Sequence, residues 1–410
     1  MRRLVLSSIF VIGSLAAAAQ FTVAPFSPDT FAVADRSRNL IELHDTAAWL
    51  RFGGKLAACA ESDSAQVSIV HIGDSHLQAD FFSGEMRRCL HKMTGRLQPS
   101  RGLIFPYAVA ATNNPTNYRV SWRGEWTCHK STEKECGTLG LTGMSATVSS
   151  DTAYLIVKVE DSEFGIYGGT HLQMFAEVGA ASLEPQILYP ESAEIESVNI
   201  LSQSIVWNLH CHTDSVAIGF RRKNTDQQSF TLYGLNLFDA EGVEYHAAGV
   251  NGARISSYLK CERFAAQLAA LRPDLVIVSL GTNDSYMPRF DSSAFAAQLE
   301  KLVVEIRAAQ PDCAILLTTP GNNKLSGKPN QNAVICAEAI CREARRLNFS
   351  VWNFNAVMGA PEKIGLWYDA GLITSDYVHL TRSGYKFQAH LLIDALLSGS
   401  FWPTNSFTDD

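Results

Sequence analysis

The chain has 410 residues, 46% hydrophobic and 18% charged, which is enough apolar content for a packed core and excludes a mostly disordered chain. A formal net charge of −7 lacks the footprint of a general nucleic-acid binder. No apolar run of about 18 residues occurs beyond the N-terminus, which excludes a polytopic membrane protein.

The chain opens with Arg2 and Arg3, then an apolar stretch from Leu4 to Leu15, then four alanines, Ala16 to Ala19. Those are the parts of a secretion signal, residues 1–19, with cleavage expected before Gln20. An uncleaved membrane anchor is the alternative, and no Cys stands at the cleavage site to suggest a lipoprotein. The mature protein is expected outside the cytoplasm, in the periplasm or beyond the cell, with no membrane span after signal removal.

The pattern predicts a helix over Asp45–Ala60, a buried strand over Val67–Gly73 and a helix over Ser75–Met93, where Leu77, Phe81, Met86 and Leu90 recur at near-helical spacing. From Arg101 to Leu237 helical periodicity disappears. Short β-rich runs replace it at Ala153–Val159, Gln173–Val178, Val206–Leu209, Ser215–Phe220 and Ser229–Leu235, the texture of an all-β sandwich. After Gly249 the alternation resumes. Helices are predicted over Ser257–Leu271, Ser292–Gln310, Gln331–Leu347 and Ser383–Leu397, and strands over Asp274–Leu280, Cys313–Thr319 and Val351–Phe354. The strands are continuous apolar runs, as in a parallel sheet covered on both faces. The reading is one α/β domain, residues 20–100 and 241–400, interrupted by a β-rich insertion over 101–240.

Nine cysteines leave at least one thiol without an intrachain partner. Cys128 and Cys136 are the expected pair, whereas Cys336 and Cys341 share a helix with poor geometry for a bridge. Neither CxxC pairs nor HExxH occurs, and the His210-Cys211-His212 triplet reads as a strand with alternating faces.

Three short motifs sit where ligands bind in open α/β sheets, at strand C-termini, or near the chain's end. Gly73-Asp74-Ser75-His76 places a serine at a helix start, where free N–H groups can stabilise an oxyanion, although serine is also a common N-cap. Gly281-Thr282-Asn283-Asp284 offers an uncharged amide donor, or simply a turn. Asp376-Tyr377-Val378-His379 sets a carboxylate three residues before an imidazole, the spacing that can fix its tautomer. GxSxG is absent, so the α/β-hydrolase elbow does not fit.

Together these blocks resemble the SGNH, or GDSL-like, serine esterase superfamily. The Val70–Asp80 block, VHIGDSHLQAD, is similar to its bacterial peptidoglycan O-acetylesterase branch, including the His76 found where the commonest version has Leu. The resemblance implies a three-layer α/β/α, flavodoxin-like parallel sheet. It implies Ser75 as nucleophile, with Asp376 and His379 completing the triad. It implies an oxyanion hole from the Ser75 and Gly252 N–H groups and Asn283, with Gly252 taken from the GVNGARI block, Gly249–Ile255. It further implies a carbohydrate-binding-module-like role for the insertion, for which Trp122 and Trp126 are candidate sugar-facing aromatics, or equally core. No metal or cofactor is expected. The implied partner is an acetylated glycan, peptidoglycan first. Other dietary or host glycans, a sugar O-acetyltransferase and a non-catalytic glycan-binding protein are the alternatives.

Overall fold

The computed structural model describes residues 32–62, 64–95, 98–160 and 167–398. The expected secretion signal lies outside the described residues.

Six strands form the main sheet in the order Gly242–Gly249, Gln66–Gly73, Leu275–Ser279, Ala314–Thr318, Ser350–Trp352, Ile41–Glu42. The first five run parallel, and Ile41–Glu42 pairs antiparallel with Ser350–Trp352, so the sheet is mixed at one edge. The central strands are buried along nearly their whole length, which is why they read as continuous apolar runs. Helices Thr46–Glu61, Phe81–Thr94 and Arg382–Leu397 cover one face with a core around Ile69, Ile277 and Leu316. Helices Phe264–Leu271, Ser292–Ala309 and Gln331–Leu347 cover the other, around Val70, Ile72 and Val276. This is the SGNH hydrolase fold, and its strand order reverses beside Gln66–Gly73. Crevices open at such switch points beyond the strand C-termini.

The strand Gly242–Gly249 belongs to the α/β sheet and pairs residue for residue with Gln66–Gly73. Its buried Glu244, Tyr245 and His246 hide it from a hydrophobicity pattern. The helix expected over Ser75–Met93 breaks in two, because Asp80 takes a left-handed conformation at φ 56°. There its carboxylate meets the buried Arg87 and Arg101 guanidinium groups at 3.1 and 2.9 Å. The helix expected over Ser257–Leu271 likewise divides into Ile255–Tyr258 and Phe264–Leu271.

The insertion builds two antiparallel sheets. The larger runs in the order Glu194–Asn199, Ser204–Thr213, Gly169–Ala176, Phe230–Phe238, Met144–Val148, Trp126–Lys130, with Gly102–Ile104 also paired to Phe230–Phe238. The smaller has Tyr118–Arg123, Tyr154–Val159, Ser215–Arg221 and Glu184–Tyr189. Phe220 of the smaller sheet bridges them, its ring 5.5 Å from Trp126 and 4.8 Å from Phe230. Trp126 is half-buried and packs against this core, while Trp122 stays exposed. Buried side chains of the insertion, such as Leu172 and Leu235, join one continuous core with Val276 and Leu302 of the α/β unit. The two parts share an interior.

All nine cysteines are free. The expected Cys128–Cys136 pair does not form: the Cys128 thiol is directed to the Val109 carbonyl at 3.6 Å, and Cys136 is buried in the shared core. His210 and His212 turn to different partners, Glu194 at 3.6 Å and Asp239 at 3.3 Å. No helix among the described residues is long and apolar enough to cross a membrane.

Candidate active site

Ser75 is the first residue of the short helix Ser75–Gln78, immediately past the strand Gln66–Gly73. Asp74 caps that helix, its side chain accepting the His76 N–H at 3.0 Å. With the cap supplied by Asp74, the Ser75 hydroxyl is left to face the His379 Nε2, 2.9 Å away. His379 Nδ1 lies 2.7 Å from Asp376 Oδ2. A carboxylate only accepts, so Nδ1 carries the proton and Nε2 is free to accept the Ser75 proton.

A tight turn makes this pairing. Tyr377 adopts φ 56°, unfavourable for a bulky side chain, and its surroundings hold it there. Its ring stacks on Tyr368 with centroids 4.9 Å apart, and the Lys324 ammonium sits 3.4 Å from its centre. Asp376 Oδ1 accepts from the Thr374 hydroxyl at 2.6 Å and from the Val378 and His379 N–H groups at 2.8 and 3.0 Å. Partial burial opposes ionisation of Asp376, but the Thr374, His379 and backbone hydrogen bonds outweigh it and hold the carboxyl well below its ordinary range.

Gly252 and Asn283 line the same pocket as Ser75 and His379. Gly252 has φ 78°, a backbone that favours glycine. Asn283, on the turn after Leu275–Ser279, donates its Nδ2 hydrogens to Asp74 Oδ2 at 3.1 Å and to the Ala253 carbonyl at 3.0 Å. The structure thus brings together all five residues singled out in the sequence, but both Asn283 amide hydrogens are engaged in this resting arrangement.

Five further residues shape the site. Gln78 stands in the Val70–Asp80 block, where no role is implied for it, and Thr374 carries no motif signal. Tyr385 shares a 2.9 Å hydrogen bond with His76 Nδ1, and the His76 ring lies 5.2 Å from that of His379. Burial, with His379 adding to it, pushes His76 down to about 3, so it stays neutral beside the His379 imidazole. Asp74 is buried, and desolvation pushes its carboxyl up to about 7.

Residues 214–387 match the family of GDSL-like lipases and acylhydrolases. The span begins within the insertion and takes in Gly252, Asn283, Asp376 and His379 but not Ser75, whose hydroxyl the fold brings to 2.9 Å from His379. The protein carries a GDSL-like acylhydrolase domain. Such domains belong to carboxylic ester hydrolases, and the serine, imidazole and carboxylate in line are the apparatus of that chemistry. The GDSL-like domain and its insertion superpose together on a peptidoglycan O-acetylesterase, with TM-score 0.69 and 21% identity over 89% of this chain and 97% of that one. A lipase/acylhydrolase from Enterococcus faecalis (21% identity, TM-score 0.31, 38% of this chain and 75% of that one) and an acetyl xylan esterase (20%, 0.31, 38% and 80%) overlap smaller parts. No curated protein matches the chain.

One group of potential metal ligands occurs among the described residues, Glu85, Cys89 and His390. Arg88 already engages both Glu85 oxygens, and a cation there would face that guanidinium.

Proposed function

We propose that the protein is an exported O-acetylesterase acting on a polysaccharide, with peptidoglycan as the substrate. The observation that carries the reading is the in-line hydrogen-bonded series Ser75–His379–Asp376 at 2.9 and 2.7 Å, on a face where His379 and Asp376 remain 41% and 50% exposed. An open triad admits an ester on a bulky polymer. The peptidoglycan O-acetylesterase that shares the fold over both domains supports the substrate class. The basic and apolar N-terminal pattern supports export.

In this mechanism Ser75 Oγ attacks the acetyl carbonyl while His379 Nε2 takes its proton. Asp376 holds the imidazolium that forms. The N–H groups of Ser75 and Gly252 and the Asn283 amide receive the oxyanion. His379 then protonates the departing sugar oxygen, and a water deprotonated by His379 releases acetate from acyl-Ser75. The test is acetate release from O-acetylated peptidoglycan and from acetylated xylan, with Ser75→Ala as control. Release from peptidoglycan that disappears in folded Ser75→Ala is expected. Retained turnover in that variant, or release from xylan alone, refutes the proposal.

A further inference from the structure

His71 stands on the strand Gln66–Gly73, four residues before Ser75, and takes no part in the mechanism above. It is fully buried on the face of the sheet that carries Ile69, with the Phe82 ring 5.3 Å away. An imidazole in such an apolar layer costs stability unless both nitrogens find partners. Here both do. Nδ1 lies 2.6 Å from the Tyr245 hydroxyl, and Nε2 lies 2.6 Å from the Ser279 hydroxyl. The Thr318 hydroxyl donates to Ser279 Oγ at 2.7 Å. Burial pushes His71 down to about 3 against the pull of the Asp80 carboxylate, so the ring stays neutral. A neutral ring meets the two hydroxyls with one donor and one acceptor.

Strand register explains how these side chains meet. His71 pairs with Ala247 on one side and with Ile277 on the other. Tyr245 and Ser279, each two residues from one of those partners, therefore share its face of the sheet. Val278 pairs with Leu317, which sets Thr318 beside Ser279. The series Tyr245, His71, Ser279, Thr318 thus runs obliquely across four adjacent parallel strands.

The series crosses the sheet where the strands end. Ser279 is the last residue of its strand and pairs with Gly73. A Cβ on Gly73 would lie 3.2 Å from the Ser279 carbonyl oxygen, so the two strands leave the sheet in close contact. Beyond that pair the backbone ladder stops, and only Leu280, Gly281 and Thr282 separate Ser279 from Asn283. The His71–Ser279 hydrogen bond braces the ladder at this last rung.

We propose that His71 is a positioning residue: acting through Ser279, it sets where the Asn283 amide stands relative to Ser75. The proposal rests on the esterase reading above, in which Asn283 is an oxyanion donor. Replacing both partners of a buried hydrogen bond by apolar groups of the same shape is often nearly neutral for stability. A polar series through this layer contributes direction, because hydrogen bonds fix geometry where apolar contacts only fill space.

The test is a double-mutant cycle on kcat for a soluble acetyl ester, with circular dichroism to confirm folding. His71→Phe keeps a ring in the layer and removes both of its hydrogen bonds. It should lower kcat about tenfold and leave KM within about twofold, since a misplacement of about 1 Å costs up to roughly 10² in rate. In an Asn283→Ala background the same change should cost less than about twofold, because the donor it positions is gone. Ser279→Ala is the smaller change, should His71→Phe fail to fold, and it should give the same pattern. Equal losses in both backgrounds, or wild-type kcat in the folded single variants, overturn the positioning role. A lowered Tm with unchanged kcat would mark His71 as packing alone. Failure of the esterase reading is a different result, an absence of turnover by the wild-type chain on any acetyl ester, and it removes the proposal as well.

Discussion

The side-chain oxygen of Gln78 accepts the backbone N–H of Asn251 at 2.7 Å, one residue before Gly252. The same side chain donates to the Thr112 hydroxyl at 3.1 Å and to the Asn113 carbonyl at 2.9 Å. A single amide thus ties the Ser75 helix, the Gly252 loop and a loop of the insertion together. Tyr107 adds a second tie, its hydroxyl donating to the Gly249 carbonyl at 2.6 Å. The close approach is built in, since a Cβ on Gly249 would lie 2.5 Å from the Gln78 nitrogen. The insertion is therefore tied directly to the loop that carries Gly252.

Gln78→Leu should accordingly displace the Gly252 N–H while leaving substrate access unchanged. Displacement of a catalytic donor by about 1 Å costs up to roughly 10² in rate. We expect kcat on a soluble acetyl ester to fall about 10- to 100-fold with little change in KM. Steady-state kinetics with circular dichroism checks this, and an unchanged kcat in a folded variant refutes the positioning role.

Asn283 presents a sharper question, because Asp74 and Ala253 hold both its amide hydrogens at rest. To serve as an oxyanion donor, it would have to turn one of them to the oxyanion during catalysis. If it does, Asn283→Ala should lose on the order of 10²–10³ in kcat, about 2.7–4 kcal/mol. Asn283→Asp should be at least as damaging, since a carboxylate would face both the oxyanion and Asp74. Near wild-type kcat in folded Asn283→Ala would reduce the residue to a brace between Asp74 and Ala253.

Much of this site was legible in the sequence because its chemistry is written in short local blocks at strand ends. Ser75, Asn283, Asp376 and His379 each sit in a motif whose residue types have few other uses in combination. Thr374 was not legible, because it acts through a turn that no spacing rule announces, and Gln78 stands in the Val70–Asp80 block with a role that only its contact with the distant Asn251 reveals. The fold divides the same way. Helix Gln331–Leu347 followed from its apolar period, whereas the break at Asp80 depends on Arg101 and Asn117, brought in from the insertion. The Gly242–Gly249 strand escaped notice because its buried polar residues find partners only in the folded sheet, as Glu244 does with Gln66.

Asp80 is the hinge of that tertiary network. It is buried with Arg87 and Arg101, and it also accepts from the Asn117 amide at 2.7 Å and from the Ser83 hydroxyl. Removing one member of a buried ion pair leaves its partner's charge uncompensated, typically at a cost of about 3–5 kcal/mol. Asp80→Ala should destabilise by that amount in urea denaturation, because two buried guanidinium groups lose their shared carboxylate. A loss below about 1 kcal/mol would mean that other acceptors hold both arginines.

Stability should also peak at mildly acidic pH, for reasons visible in five carboxyls and three histidines. Burial raises Asp74 and Glu244 to about 7 and Asp284 to about 6, each above its ordinary value of 3.8 or 4.5. Between about pH 4 and 7 these three keep protons in the folded chain that the unfolded chain has released, so their contribution falls as pH rises through that window. Buried His71, His76 and His246, pushed down to about 3, oppose this below about pH 6.5, where the unfolded chain holds protons that the folded chain lacks. Asp80 and Glu85 act against the raised carboxyls as well. Burial opposes their ionisation, but Arg87 and Arg101 around Asp80, and Arg88 and His390 around Glu85, hold each at about 2. Their contribution is complete above about pH 4 and is lost as pH falls toward 2. Thermal unfolding from pH 3 to 8 should therefore give a steep rise in Tm to about pH 4–5, a plateau to about pH 6 where the histidines offset the raised carboxyls, and a decline from there toward pH 8. Asp284→Asn tests the cause, since the amide oxygen can still accept from the Ile255 N–H as Asp284 Oδ1 does at 3.3 Å, but the proton linkage is gone. The decline between pH 5 and 8 should be shallower in that variant. A Tm that climbs steadily from pH 5 to 8, or an identical slope in Asp284→Asn, would show that these buried carboxyls do not govern the profile.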